Sequence, residues 1–133
     1  MNYVNWTAEH MKNTSVHCQC EDGWHLHVDK CYFFSEVDKS WDSANNICAS
    51  LNSTLAACVN PAERGFVLSQ NWSLYLWIGP IEGRDGELRW PNGSTFNNRT
   101  CCYLNHNGFT YGSCHLKRQS ICTKPAHCGE ETE

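Results

Sequence analysis

Apolar positions along this chain follow two different periods, and the switches between them mark the elements. Residues 1–17 are polar with no apolar period, so order is expected to begin near Cys18. Residues 24–27 and 30–35 read as two short strands around Val28-Asp29, with His25 and His27 alternating with Leu26. Ser40 is a good helix N-cap, and Trp41, Ala44, Ile47, Cys48 and Leu51 then fall at helical spacing. That predicts an amphipathic helix of about three turns. Residues 54–59 read as a strand. Asn60-Pro61-Ala62-Glu63 opens a second helix with a cap, Pro at the first position and Glu at the third. Phe66 and Val67 continue it, although Gly65 weakens it.

The run 74–78, Leu-Tyr-Leu-Trp-Ile, reads as a buried central strand stopped by Gly79-Pro80. Residues 79–100 are loop-like, with Gly83, Asp85-Gly86 and Pro91-Asn92-Gly93, and a short strand is expected at 88–90. Three more strands follow at 101–104, 110–115 and 120–124. Two early helices and then a meander of short strands predict an α+β domain. A length of 133 residues suits one domain. The expected organisation is a polar stalk or tail at 1–17, the domain at 18–128, and a C-terminal tail at 129–133.

Composition then narrows the setting. Ten cysteines in so short a chain point to an oxidising compartment. Cys18-Gln19-Cys20 and Cys101-Cys102 have the wrong spacings for a zinc finger, and no CxxC or HxxxH pair occurs. Disulfides are therefore expected rather than a metal cluster. His25 and His27 sit at i,i+2 with no third ligand in view, so they read as a solvated strand face. Six Asn-X-Ser/Thr sequons, at Asn5, Asn13, Asn52, Asn71, Asn92 and Asn98, agree with the secretory pathway and predict attached N-linked glycans. No apolar leader or membrane-spanning run is present, so the chain is expected to be the ectodomain of a longer type II membrane protein or a mature secreted chain. The net charge of −4, with no basic run longer than Lys117-Arg118, argues against a nucleic-acid partner. Seven His and many Ser guarantee chance combinations, yet no nucleophile-elbow or zinc-protease motif supports catalysis, so no enzyme is expected.

Cys20, Trp24, Cys31-Tyr32-Phe33-Phe34-Ser35, Trp41 with Ala44 and Cys48, Leu55, Trp77-Ile78-Gly79, Trp90-Pro91-Asn92-Gly93, and then Cys101, Cys114 and Cys122 occur in one order over a hundred residues. In this the chain resembles the C-type lectin-like domain across residues 18–124. The Cys-Tyr-Phe-Phe-Ser opening and the segment 101–104 look most like the natural killer cell lectin-like receptors and their lectin-like ligands. The resemblance implies bridges Cys20–Cys31, Cys48–Cys122 and Cys101–Cys114. Some members carry an outer bridge, which here pairs Cys18 with Cys128. The even count favours a fifth bridge, Cys58–Cys102, over two buried free thiols.

Sugar-binding members of that family hold calcium with Glu-Pro-Asn or Gln-Pro-Asp and a Trp-Asn-Asp strand, and this chain has neither. Pro91-Asn92 is superficially similar, but Trp90 replaces the acid before it. Before Cys114 the chain reads Tyr111-Gly112-Ser113, and the acids Glu82, Asp85 and Glu87 are spread among Gly and Arg. No calcium and no other cofactor is expected, since calcium needs six to eight clustered oxygens. The resemblance instead implies recognition of a cell-surface protein, as an immune receptor or its ligand, with a homodimer expected. The ligand face would offer Arg84, Glu87, Arg89, His106, Phe109, Tyr111 and Arg118, because Arg and aromatics anchor protein interfaces. The alternatives are a calcium-independent glycan binder, a viral decoy of such a receptor, and a secreted lectin fold that pairs with a second chain.

Overall fold

A computed structural model describes residues 14–70, 75–97 and 99–132. The chain runs β1 (Thr14–Gln19), β2 (His25–His27), β3 (Lys30–Lys39), α1 (Trp41–Ser50), β4 (Thr54–Leu55), α2 (Pro61–Gln70), β5 (Leu76–Trp77), β6 (Ile81–Glu82), β7 (Leu88–Arg89), β8 (Thr100–Asn105), β9 (Gly108–Ser113), β10 (Arg118–Pro125) and β11 (His127–Thr132). The main sheet has the order β2-β3-β10-β5-β8-β9, with β4 paired to β10. This is the α+β arrangement that the periodicities predict.

Local chemistry sets the helix starts. Ser40 Oγ accepts the Ser43 N–H at 3.3 Å and opens α1. Asn60 Oδ1 accepts the N–H groups of Ala62 at 2.7 Å and Glu63 at 3.3 Å and opens α2. Only Trp41, Ala44 and Cys48 of α1 are buried. Ile47 and Leu51, which share the helical spacing, stay exposed because the helix leans on the sheet along a narrow stripe. The expected strand at 54–59 stops at Leu55. The chain turns out of it through Cys58, whose φ is 59°. The strand expected at 74–78 is confined to Leu76 and Trp77, with Leu74 outside the described residues.

The middle of the core is pinned by two tryptophans whose polar ends find backbone partners. The Trp41 indole donates to the Ile78 carbonyl at 2.8 Å, and the Trp77 indole donates to the Lys39 carbonyl at 2.8 Å. Gly79 follows at a close approach: a Cβ there would lie 2.6 Å from the Leu55 carbonyl oxygen. Trp90 and Phe96 close a second aromatic layer over Trp41, with ring centroids 6.2 and 5.1 Å from it. At the other end Tyr32 donates its hydroxyl to Glu63, whose carboxylate also pairs with Lys30 at 3.6 Å. Burial, and then the Glu63 carboxylate, push the Tyr32 phenol up.

Four disulfides staple these parts: Cys18–Cys128, Cys20–Cys31, Cys48–Cys122 and Cys101–Cys114. Cys18 and Cys128 face each other in the register of a separate ribbon formed by β1 and β11. That pairing runs out to Thr14 and Thr132, past the boundaries at 18 and 128 expected from the sequence. The fifth bridge is not formed: Cys58 and Cys102 are free, fully buried thiols. Each fills the core as a small apolar side chain, and the Cys102 thiol donates a long, weak contact to the Tyr103 carbonyl at 3.9 Å. Burial pushes both thiols up to about 12, so neither forms a reactive thiolate at neutral pH.

Candidate recognition surface

Strand β8 sorts its side chains by alternation. Cys102 and Leu104 point to one face, Cys101 and Tyr103 to the other. On β9, Phe109 lies opposite Leu104 and Tyr111 opposite Cys102, so both share the first face. Arg64 of α2 sits over the Phe109 ring at 5.2 Å, which identifies that face as the helix side. The far face carries a cluster that the spacing of residues did not reveal. Tyr103 meets Tyr75 edge-on at 5.2 Å and Trp77 edge-on at 5.7 Å. The Arg118 guanidinium lies 4.5 Å from the Tyr75 ring centroid and 5.2 Å from that of Tyr103. One of its terminal nitrogens donates to the Lys117 carbonyl at 3.2 Å, while its Nε is buried without a partner among the described residues. Gly112, opposite Cys101, keeps the surface flat: a Cβ there would come within 3.3 Å of Leu116 and 3.4 Å of Tyr103.

The seven residues named from the sequence are thus distributed over several places. Arg118 belongs to the far-face cluster. His106 is exposed at the β8–β9 turn. Phe109 and Tyr111 lie on the helix side, half-buried, and the Tyr111 hydroxyl accepts the Asn92 N–H at 3.0 Å. Arg84 and Glu87 are exposed in the β6–β7 hairpin. Arg89 is occupied within that hairpin, donating to Asp85 at 2.9 Å, Glu87 at 3.1 Å and, more weakly, the Gly93 carbonyl at 3.4 Å. Tyr75 and Tyr103 were missed. A usable signal existed, since Tyr75 stands two residues before Trp77 and so shares its face, but Arg118 reaches them only through the parallel pairing of β10 with β5.

Two of the three acids of the 79–100 loop, Asp85 and Glu87, are likewise committed to Arg89. The Glu87 N–H and the Arg89 guanidinium hold the Asp85 carboxyl below its ordinary value. Among the described residues, no three His, Cys, Asp or Glu side chains converge as metal ligands would. His25 packs edge-on to Phe34 at 5.4 Å, and His27 stacks on Phe66 at 4.2 Å. Of the sequons, Asn52 is exposed just past α1 with φ 55°. Asn92 is also exposed, and its Oδ1 accepts from the Ser94 N–H at 2.9 Å and the Ser94 hydroxyl at 2.7 Å. Asn5, Asn13, Asn71 and Asn98 lie outside the described residues.

A two-helix domain whose helix is bridged to the penultimate strand, whose ends form a ribbon, and whose Trp-Ile-Gly strand leads into an irregular loop defines a C-type lectin-like fold. The lectin C-type domain family model matches residues 37–124, and the chain belongs to that family. The chain is 31% identical over 114 residues to mouse early activation antigen CD69, covering 80% of this chain and 57% of that protein. It is 31% identical over 117 residues to human natural killer cells antigen CD94, covering 79% and 65%. It therefore spans about three fifths of these immune-cell relatives. Among solved structures, a calcium-independent type II antifreeze protein superposes with TM-score 0.67 at 22% identity, covering 84% of this chain and 98% of that one. A complex of SPL-1 with GlcNAc superposes with TM-score 0.61 at 26% identity, covering 80% and 96%. Among the described residues no helix is long and apolar enough to cross a membrane.

Proposed function

We propose that this chain is the extracellular recognition domain of an immune cell-surface protein, that it works without calcium and without catalysis, and that it binds another protein through the face carrying Tyr75, Tyr103 and Arg118. The observation that carries this reading is the Arg118 guanidinium stacked on two tyrosines. Tyr and Arg are the side chains that dominate binding energy at protein interfaces. Stacking also fixes the guanidinium before a partner arrives, which lowers the entropy cost of docking. The positive charge of the guanidinium would attract an acidic side chain on the partner. Calcium independence is supported by Asp85 and Glu87, whose carboxylates are held by Arg89 at 2.9 and 3.1 Å instead of being free to coordinate.

A second reading is calcium-independent glycan binding, favoured by the fold neighbour solved with GlcNAc and by the tyrosines, which stack on sugar rings. One experiment separates the two. A fluorescent multimer of the domain is used to stain a panel of cell lines. Staining that survives EDTA and free GlcNAc, and is lost with Arg118→Glu or after protease treatment of the cells, is the expected result. Inhibition by free sugar, or staining undiminished by Arg118→Glu, refutes the proposal. A melting temperature equal in calcium and in EDTA is expected alongside, because a ligand of the folded state alone must raise it.

A further inference from the structure

A groove of about 730 Å³ lies away from the Arg118 face, between α1, the stretch from β4 to α2, and the β6–β7 hairpin. It shares no lining residue with Tyr75, Tyr103 or Arg118. Trp41, Leu55 and Phe96 form part of its apolar lining, and Val59, Ile81 and Leu88 add aliphatic side chains that are 42%, 38% and 43% exposed. Single exposed aliphatics are ordinary, but three converging on one concavity leave an apolar patch facing water. The size is that of a ligand site rather than a packing gap.

The unpaired charges around it have one sign. Asp42, in the first turn of α1, and Glu82, on β6, both line the groove and both are exposed. Neither makes an ion pair among the described residues. The groove's cation, Lys30, is already paired with Glu63 at 3.6 Å, and Glu63 also holds the Tyr32 hydroxyl. An occupant therefore meets an apolar floor flanked by two unbalanced carboxylates. A second copy of this chain is a poor match, because 14 acidic against 10 basic residues give it the same sign as the groove.

We propose that this groove is a second docking site, and that it takes a segment of a partner protein carrying two adjacent apolar side chains followed by Lys or Arg. The apolar pair fills the space between Trp41, Val59, Ile81 and Leu88. The cation lies between Asp42 and Glu82. The charge supplies selectivity, since an acidic segment of the same shape meets like charges.

The test uses the glycosylated domain with two capped tripeptide amides as probes, leucyl-phenylalanyl-arginine and leucyl-phenylalanyl-glutamate, followed by NMR. The expected result is a saturable shift of the Trp41 indole and of the Ile81 and Leu88 signals with the arginine peptide, at about tenfold lower concentration than with the glutamate peptide. Glu82→Lys, at an exposed position, is expected to reverse that preference, and Ile81→Asp to abolish both responses. Arg118→Ala is expected to leave them unchanged, so failure here is separable from failure of the first face. No saturable shift at these residues, or equal response to the two peptides, overturns the proposal. Shifts that depend on protein concentration alone overturn it in favour of self-association.

Discussion

Replacing both Cys48 and Cys122 by alanine probes how a helix of ten residues is held on this sheet. The bridge spans a sequence separation of 74 and joins α1 to β10. Chain entropy for a loop of that size, taken alone, corresponds to about 4.4 kcal/mol. The outer bridge, with a separation of 110, remains in the variant and already ties the rest of the chain into a ring. Two arcs then share the closure, the effective loop falls to about 25 residues, and the contribution falls to about 3.5 kcal/mol. Both sulfurs are also fully buried in the core cluster. Losing their packing adds about 1 kcal/mol. The expected total is about 4–5 kcal/mol, a large part of the stability of an ordinary domain. At this size it lowers the melting temperature by on the order of 15 °C. Urea unfolding followed by tryptophan fluorescence and thermal unfolding followed by circular dichroism measure it. The Cys20→Ala/Cys31→Ala pair is the control: its separation is 11, and it corresponds to about 2.8 kcal/mol. A loss below about 2 kcal/mol for the Cys48–Cys122 pair, or one no larger than the control, refutes the reasoning.

Three further outcomes follow from the same structure. Thiol counting with an aromatic disulfide reagent should detect none of the free cysteines in the native protein and both Cys58 and Cys102 after unfolding; none after unfolding would mean a fifth bridge. Gly79→Ala should cost about 2–3 kcal/mol in chemical unfolding, because the added carbon lies 2.6 Å from the Leu55 carbonyl oxygen and meets backbone that cannot step aside. Asp85 should titrate below 3.8 by NMR, and Arg89→Ala should move it part of the way back, since the Glu87 N–H at 3.1 Å remains. Because the folded value is depressed, its contribution to stability is present above the unfolded value and fades as pH falls through the folded one.

The features legible in the sequence were those set by near neighbours. Ser40 and Asn60 announce α1 and α2 because a cap is a contact between residues two or three apart. β8 and β9 were legible as short strands for the same reason. Ile47 and Leu51 misled because spacing gives the face of a helix but not how wide a stripe the sheet covers. Cys58 misled because an even count says nothing about distance, and its left-handed backbone is a tertiary property. The candidate surface was half legible. Arg118 could be nominated as an interface anchor by residue type, but its stacking on Tyr75 and Tyr103 depends on β10 lying parallel to β5, a pairing between segments far apart in the chain. Arg89 and Tyr111 were nominated by type alone, and the fold engages both internally.

The Cys18–Cys128 pair turns nearly the whole domain into a closed covalent loop. A protease that nicks the exposed turn at Arg84-Asp85 therefore releases no fragment. The two pieces stay one molecule, crossed again by Cys48–Cys122. On a gel the nicked chain would run as a single species until reduced, and only then as two. If the domain is displayed outside the cell, as proposed, damage of this kind would remain silent until the surroundings became reducing.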